Sequence, residues 1–118
     1  MTNELTDTAR YKLRRKITYA LYNHKRRGHK INITIDEAEK LYNSSTVCPI
    51  CGVEFSDKKR STTKSFDRKH NKGMLSNRNV WVICYKCNAT KQDRTMKEFV
   101  NYCRGVVNKF GADHDVSG

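Results

Sequence analysis

Two pairs of cysteines have the spacing of ligands for a single metal ion. Cys48 and Cys51 form one C-x-x-C motif, Cys84 and Cys87 form another, and 32 residues separate the two motifs. Each motif lets two thiolates converge on one ion, and four sulfurs complete the tetrahedral shell that Zn²⁺ prefers. A closed shell leaves no position for water, so we predict a structural Zn²⁺ ion. A redox C-x-x-C motif or an iron–sulfur site is the alternative for the same cysteines.

The remaining cysteine, Cys103, stands apart from both motifs. Its position in a predicted helix favours a buried side chain over a fifth metal ligand. An odd number of cysteines favours metal binding in a reducing compartment over a disulfide framework. No segment approaches the length of apolar chain that spans a membrane, and residues 1–10 lack the apolar core of a signal peptide. We therefore expect a cytoplasmic protein with no membrane partner.

The positive charge of the chain is concentrated in two regions. The formal net charge is +12 over 118 residues. Residues 1–30 contain nine lysines and arginines against two acidic residues, and residues 67–91 contain six against one. Two basic regions suit a polyanion, and we predict a nucleic acid, although a solvated basic surface is the alternative. The candidate phosphate contacts are Arg14, Arg15, Lys16, Arg26, Arg27, Lys69 and Lys72.

A second set of polar residues extends from the middle of the chain into the second cysteine motif. The spaced set is Asp67-Arg68, then Asn79, then Cys84-x-x-Cys87-Asn88-x-x-Lys91. It resembles the HNH endonucleases, especially the small phage and restriction-type members that two C-x-x-C motifs hold together. The resemblance covers residues 48–100 well and residues 20–47 more loosely. It implies a protein of the bacterial or phage-infected cytoplasm whose partner is DNA.

The resemblance implies a role for each matching residue. Asp67 and Asn88 would hold one catalytic Mg²⁺ or Mn²⁺ ion, leaving positions for water and phosphate oxygens. Asn79 would brace the loop between two strands. Lys91, one helical turn beyond Asn88, would face the same phosphate or would be a solvated lysine. The implied activity is metal-dependent hydrolysis of DNA phosphodiester bonds, either as a nick or as a double-strand cut by a homodimer.

Arg68 departs from the family pattern, because most members have their general-base histidine directly after the metal-binding acid. Arginine cannot accept a proton at neutral pH, so Arg68 is interpreted as a phosphate clamp or a stabiliser of transition-state charge. His70 is the first candidate for the base, because alternate residues of an extended strand face the same side. His29 is the second candidate, and the third possibility is that neither histidine acts as a base.

The elements that must position these residues can be predicted from local patterns. Apolar spacing predicts a helix over 10–27 that Gly28 ends, and a capping box at Thr34-x-x-Glu37 predicts a second helix over 35–43. Residues 64–68 and 80–83 are strand candidates, and a third helix should begin close to Asn88. A second capping box opens the last helix, with one face formed by Met96, Phe99, Val100, Cys103 and Val107.

These predictions combine into one architecture and two functional hypotheses. We expect an α+β fold with a ββα-metal HNH core, stapled by a four-cysteine zinc site and flanked by N-terminal and C-terminal helices. Residues 1–47 should form a basic helical extension that packs on the core, 48–110 the nuclease core with its last helix, and 111–118 a flexible tail. A DNA endonuclease is the first hypothesis. A zinc-knuckle nucleic-acid-binding protein without catalysis is the alternative, and Arg68 supports it.

Overall fold

The mixed content of helices and strands agrees with the predicted α+β class. A computed structural model describes residues 6–111, so the predicted flexible tail lies outside the described residues except for its first residue. The helices are α1 (Asp7–Arg26), α2 (Ile35–Ser44), α3 (Tyr85–Lys91) and α4 (Met96–Phe110). The strands are β1 (Ile31–Asn32), β2 (Lys64–Arg68), β3 (Leu75–Ser76) and β4 (Val80–Cys84), and a short 3₁₀ turn covers Arg60–Thr62.

The strands form two small sheets that bring distant parts of the chain together. β2 and β4 pair antiparallel, with Lys64 opposite Cys84 and Asp67 opposite Trp81. β1 and β3 pair in parallel, which ties the segment after α1 to the loop between β2 and β4. α3 follows β4 directly. The β2–β4 pair and α3 therefore form one continuous strand–strand–helix unit.

The helix ends follow the predicted capping chemistry, with one correction. The hydroxyl of Thr34 accepts from the N–H of Glu37 at 3.1 Å, and the Glu37 carboxylate accepts from the N–H of Thr34 at 2.9 Å. Gly28 has a φ of +89° just after α1, in the left-handed region that favours glycine. The prediction that α3 begins near Asn88 was wrong. α3 begins at Tyr85 because Cys84 caps it, and its Sγ accepts from the N–H of Cys87 at 3.4 Å.

Both sides of the β2 strand are covered, which places the core and the candidate site on opposite faces. Successive side chains of a strand point to opposite faces, and both Phe66 and Asp67 are buried. Phe66 packs into a core formed with α1, α2, β3 and β4, whereas Asp67 contacts α3 through Lys91. The buried members of that core are Ile17, Leu21, Ile33, Ala38, Phe66, Leu75, Val80 and Val82.

Ion pairs join α1 to α2 at the surface of this core. The Glu39 carboxylate lies 3.1 Å from the Arg10 guanidinium and 3.0 Å from that of Arg14. Arg14 also contacts Asp36 at 2.8 Å. Arg14, predicted to contact phosphate, therefore already pairs with two carboxylates of the protein. Among residues 6–111, no helix has both the length and the apolar character needed to cross a bilayer.

The last helix leaves most of its apolar face in solvent. Phe99 is buried near the start of α4, but residues 100–111 are all exposed. The expectation that Cys103 is a buried helix residue was therefore wrong. Its predicted neighbours Val100 and Val107 are also exposed. The physical reason is that α4 extends beyond the core after its first turn, so Val100, Cys103 and Val107 lie in solvent.

The core can be tested by a pair of substitutions on α1. Ile17 is 1% exposed and Tyr19, two residues later, is 64% exposed. We expect Ile17→Ala to lower the free energy of unfolding by about 2–5 kcal/mol, because it leaves a cavity in a packed core. Tyr19→Ala should change it by less than about 0.5 kcal/mol. Urea denaturation of the metal-loaded protein measures both values, and equal losses would contradict the assignment of this core.

Candidate functional site

The four motif cysteines converge as a single cluster. Their sulfur atoms all lie within 4.8 Å of one another, and the Sγ atoms of Cys51 and Cys84 are 3.7 Å apart. A tetrahedral Zn²⁺ ion with Zn–S bonds of about 2.3 Å separates its sulfurs by about 3.8 Å. The cluster therefore fits a structural metal ion such as zinc. The two C-x-x-C motifs of the sequence had predicted this cluster.

The backbone around the first cysteine motif turns as a metal knuckle requires. Gly52 has a φ of +78°, and its N–H donates to the carbonyl of Cys48 at 2.8 Å. Burial opposes ionisation of the Cys48 thiol, but backbone N–H groups that include those of Cys51 and Cys84 outweigh it and lower the pKa of Cys48 to about 7. Burial raises the pKa of Cys84 and of Cys87. The N–H donors stabilise the anionic sulfur that a metal ion needs.

A cavity of about 240 Å³ lies against one face of α3. The end of α1 with the loop after it and the end of β2 form the opposite part of its lining, and Asn71, Gln92 and Asp93 complete it. Five of the predicted catalytic residues meet there, together with Arg27, a predicted phosphate contact, and His24. The five are His29, Asp67, Arg68, Asn88 and Lys91.

Asp67 is held in the cavity wall by two donors on one carboxylate oxygen. The indole N–H of Trp81, its cross-strand neighbour, donates to Oδ2 at 2.9 Å. The Nζ atom of Lys91 lies 3.0 Å from the same oxygen. Lys91 is 1% exposed, so the alternative of a solvated lysine was wrong. The reason is that α3 packs against β2, which brings this face of the helix onto the Asp67 carboxylate.

Asn88 lies one helical turn before Lys91 and lines the same cavity. Its Nδ2 donates to the hydroxyl of Ser65 at 3.2 Å, which leaves its amide oxygen as the atom able to bind a cation. One carboxylate and one amide are hard oxygen donors of the kind that Mg²⁺ and Mn²⁺ prefer. Among residues 6–111, three or more acidic, histidine or cysteine ligands converge only at the four cysteines. Asp67 and Asn88 are therefore two oxygen donors on the lining of one cavity, and no third ligand of these types converges with them among the described residues.

Asn79 braces the loop that follows β2. Its Oδ1 accepts from the N–H of His70 at 2.8 Å, and its Nδ2 donates to the carbonyls of His70 at 3.0 Å and Met74 at 2.8 Å. A Cβ at Gly73 would lie 2.7 Å from that Nδ2, so the loop needs glycine at this position. The Gly73 carbonyl in turn accepts from Arg68 at 2.9 Å. The loop is thus shaped by two side chains of the predicted set.

His70 does not line the cavity. β2 ends at Arg68, and the chain bends at His70 while Asn79 binds both its backbone groups. The expectation of an extended strand through His70 was therefore wrong, and with it the argument that His70 shares a face with Arg68. The His70 side chain is exposed.

His29 does line the cavity, and it belongs to a pair of histidines. Its Nε2 lies 3.0 Å from the Nη2 atom of Arg68, and its Nδ1 lies 2.9 Å from the Nδ1 of His24. Burial lowers the pKa of His24 to about 4, with Arg27 adding to the effect. Burial also lowers the pKa of His29, and the Arg68 and Arg27 guanidinium groups lower it further. Both rings are therefore neutral at pH 7.

His24 had no predicted role, although the sequence contained a signal for it. His24 follows Ile17 and Leu21 at helical spacing on the buried face of α1. A polar residue on an apolar stripe needs a hydrogen-bond partner from outside its helix. The partner is the carbonyl of Phe66, 3.0 Å from Nε2. Arg68 and His29, which belong to the same hydrogen-bonded group, are 39 residues apart in sequence. No local sequence pattern could therefore have predicted that they meet.

The other predicted phosphate contacts lie at the surface. The Arg15 guanidinium stacks over the Tyr11 ring, and Lys16 donates to the Tyr42 hydroxyl at 3.3 Å. Arg27 lies 3.1 Å from the Nδ1 of His24. The three that complete the set, each exposed, are Arg26, Lys69 and Lys72.

Comparisons with known proteins give no relative for this chain. No protein-family model matches it, and neither does any curated protein or solved structure.

The metal cluster makes a simple prediction about composition. We expect freshly purified protein to contain one Zn²⁺ ion per chain by native mass spectrometry. Cys51→Ser should lose the ion and melt at a lower temperature, because a structural metal contributes directly to folding. Cys103→Ser, a change at the exposed cysteine outside the cluster, should keep both the ion and the melting temperature. Wild-type protein with much less than one ion per chain would overturn the assignment.

The buried ion pair makes a second prediction. Lys91→Met leaves the Asp67 carboxylate buried without its cation, and we expect a loss of about 3–5 kcal/mol in the free energy of unfolding. Lys86→Met, at an exposed position of the same helix, should change it by less than about 0.5 kcal/mol. Chemical denaturation of zinc-loaded variants measures the difference. Two equal values would mean that the ion pair does not stabilise the fold.

Proposed function

We propose that the chain is a metal-dependent DNA endonuclease of the HNH type. One observation carries the proposal: a carboxylate, an amide oxygen, a guanidinium and a neutral imidazole line one open cavity. They belong to Asp67, Asn88, Arg68 and His29. These groups come from three separate parts of the sequence, and they match the chemistry that phosphodiester hydrolysis needs, which is cation binding, charge stabilisation and a proton acceptor.

The topology around the cavity also supports this proposal. In the family that the sequence resembles, two antiparallel strands precede a helix, the acidic ligand lies on the first strand and the second ligand lies on the helix. Here Asp67 lies on β2, Asn88 lies on α3, and the cysteine cluster spans the junction between β4 and α3. Asp67 and Asn88 would hold one Mg²⁺ or Mn²⁺ ion, which when bound neutralises the scissile phosphate and stabilises the leaving oxygen.

His29 is the proton acceptor in this proposal. It lines the cavity and is neutral at pH 7, whereas His70 is outside the cavity. In the free protein Arg68 donates to the Nε2 atom of His29. A bound phosphate competes for the Arg68 guanidinium, because arginine binds phosphate strongly through parallel N–H groups. The His29 lone pair is then free to take a proton from the attacking water.

The surrounding cations supply non-specific affinity for DNA. Arg26, Lys69 and Lys72 are exposed, and Arg27 lines the cavity. Contacts of this kind bind phosphates, so they raise affinity without reading the base sequence, and salt weakens them. One such unit nicks one strand, and a double-strand cut requires a homodimer or two encounters.

A second function, nucleic-acid binding without catalysis, is favoured by one observation. The Lys91 ammonium already neutralises Asp67, and the Arg68 guanidinium already occupies His29. Both groups are therefore satisfied without a divalent ion or a substrate. A zinc-stabilised basic module would need nothing more.

Nicking of supercoiled plasmid separates these two functions. With Mg²⁺ or Mn²⁺ we expect the wild type to nick, and Asp67→Asn to abolish nicking because it removes the anionic ligand. Asp57→Asn, at an exposed carboxylate outside the cavity, should keep full activity. His29→Ala should lower the rate by about 10²-fold or more, the usual loss when a general base is removed. Wild-type protein that shifts DNA in a gel but never nicks it would replace the nuclease with the binding module.

The pH profile of nicking tests the base separately. A general base works in its deprotonated form, so the rate falls as the pH drops through its pKa. Because burial and the two arginines lower the pKa of His29, we expect the acidic limb below pH 6.5, the ordinary value for histidine. Loss of activity in His70→Ala, with His29→Ala unaffected, would return the role to His70.

A further inference from the structure

We propose that His24 is a positioning residue that holds His29 with its Nε2 lone pair facing the cavity. The inference rests on the proposed function, because it concerns the proton acceptor of the same site. It is carried by hydrogen bonds that run from the backbone of β2, through both imidazole rings, to Arg68.

The chemistry at the two ends of this series fixes the proton on each ring. At one end is the carbonyl of Phe66, which only accepts, so the Nε2 of His24 must bear the hydrogen. A neutral His24 then has its lone pair on Nδ1, and the Nδ1 of His29, 2.9 Å away, must donate to it.

The other end of the series leads to the same assignment. With its hydrogen on Nδ1, neutral His29 has its lone pair on Nε2. The partner of that atom is the Nη2 atom of Arg68 at 3.0 Å, and a guanidinium only donates. A carbonyl at one end and a guanidinium at the other therefore permit one arrangement of protons on two neutral rings. The opposite tautomer of either ring would break at least one of the three hydrogen bonds.

The charged groups facing the pair favour neutral rings. Arg27 lies 3.1 Å from the Nδ1 of His24 and shares that lone pair with His29. Arg68 faces His29, and the carboxylates of Asp67 and Asp93 act in the opposite direction with a smaller effect. Burial and the two arginines have a larger effect on the histidine pKa values than the two carboxylates. Both rings therefore stay neutral before substrate binds.

The two histidines connect the proposed base, His29, to β2, the strand that contains Asp67. His24 binds the carbonyl of Phe66, the residue directly before Asp67. The His29 ring is therefore fixed relative to β2, even though it lies on a loop beyond α1. When His29 takes a proton at Nε2, its Nδ1–H already donates to a neutral nitrogen, which orients the imidazolium as it forms.

Core filling is the competing explanation for His24, which follows Leu21 on the buried face of α1 and is itself buried. Two substitutions separate the explanations. His24→Leu fills a similar volume but offers no acceptor to His29. His24→Asn is smaller but can place its amide oxygen close to the position of Nδ1. Packing alone predicts that Leu is the better replacement, and positioning predicts that Asn is.

The experiment combines NMR of the histidine ring nitrogens with plasmid nicking, both on the zinc-loaded full chain. In wild-type protein we expect hydrogen on Nδ1 of His29 and on Nε2 of His24. In His24→Leu we expect a mixture of His29 tautomers and about a 10- to 100-fold lower nicking rate, as when the orienting partner of a metal-bound histidine is lost. His24→Asn should recover most of the rate. Melting temperatures show that each variant is folded.

Each outcome decides a different claim. Hydrogen on Nε2 of His29 in the wild type, or full nicking by His24→Leu, overturns the positioning role. A wild type that does not nick overturns the proposed function, and the NMR spectrum still shows whether the predicted proton arrangement exists.

Discussion

Convergence of four sulfurs is the constraint on which the rest of the candidate site depends. Cys84 is both the last residue of β4 and the N-cap of α3, so a metal ion on its sulfur would fix the angle between strand and helix. That angle brings Asn88 and Lys91 to the cavity wall beside Asp67. A small, highly charged chain gains limited stability from its apolar core, and a metal ion bound by the four cysteines would compensate for that. The cysteines set the geometry that the polar residues use.

Besides the cysteine cluster, a series of hydrogen bonds between polar groups holds the cavity wall in place. α1 and α2 share the core of β2, and the only buried polar side chain described on α1 reaches a backbone carbonyl of that strand. Hydrogen bonds then continue through His29 to Arg68. The cysteine cluster positions α3 on one side of the cavity, and the histidine pair positions His29 on the other. Neither could be exchanged for apolar packing without leaving buried polar groups unpaired.

Features with a local cause were predictable from the sequence. The C-x-x-C motifs, both capping boxes and strand β2 each depend on residues close together in the chain, and they occur where expected. The predictions failed where long-range contacts decide. Burial of Lys91 depends on how α3 packs on β2, the bend at His70 depends on Asn79 nine residues later, and exposure of Cys103 depends on where the core ends. The family resemblance identified the candidate residues, but it did not indicate which histidine lies in the cavity.

Cys103 lies outside the cysteine cluster, so a metal ion at the cluster would give the chain two chemically distinct classes of thiol. Four sulfurs lie within reach of one ion, and the fifth lies on the solvent side of a helix. A metal ion would engage the lone pairs of four thiolates, so we expect those sulfurs to react more slowly with alkylating reagents than the exposed Cys103 thiol. The number of sulfurs that react quickly is therefore a direct count of folded, metal-loaded molecules: one per intact chain and five after the metal is removed. Cys103, which lies outside both cysteine motifs, therefore serves as an internal reference when the metal content of the cluster is measured.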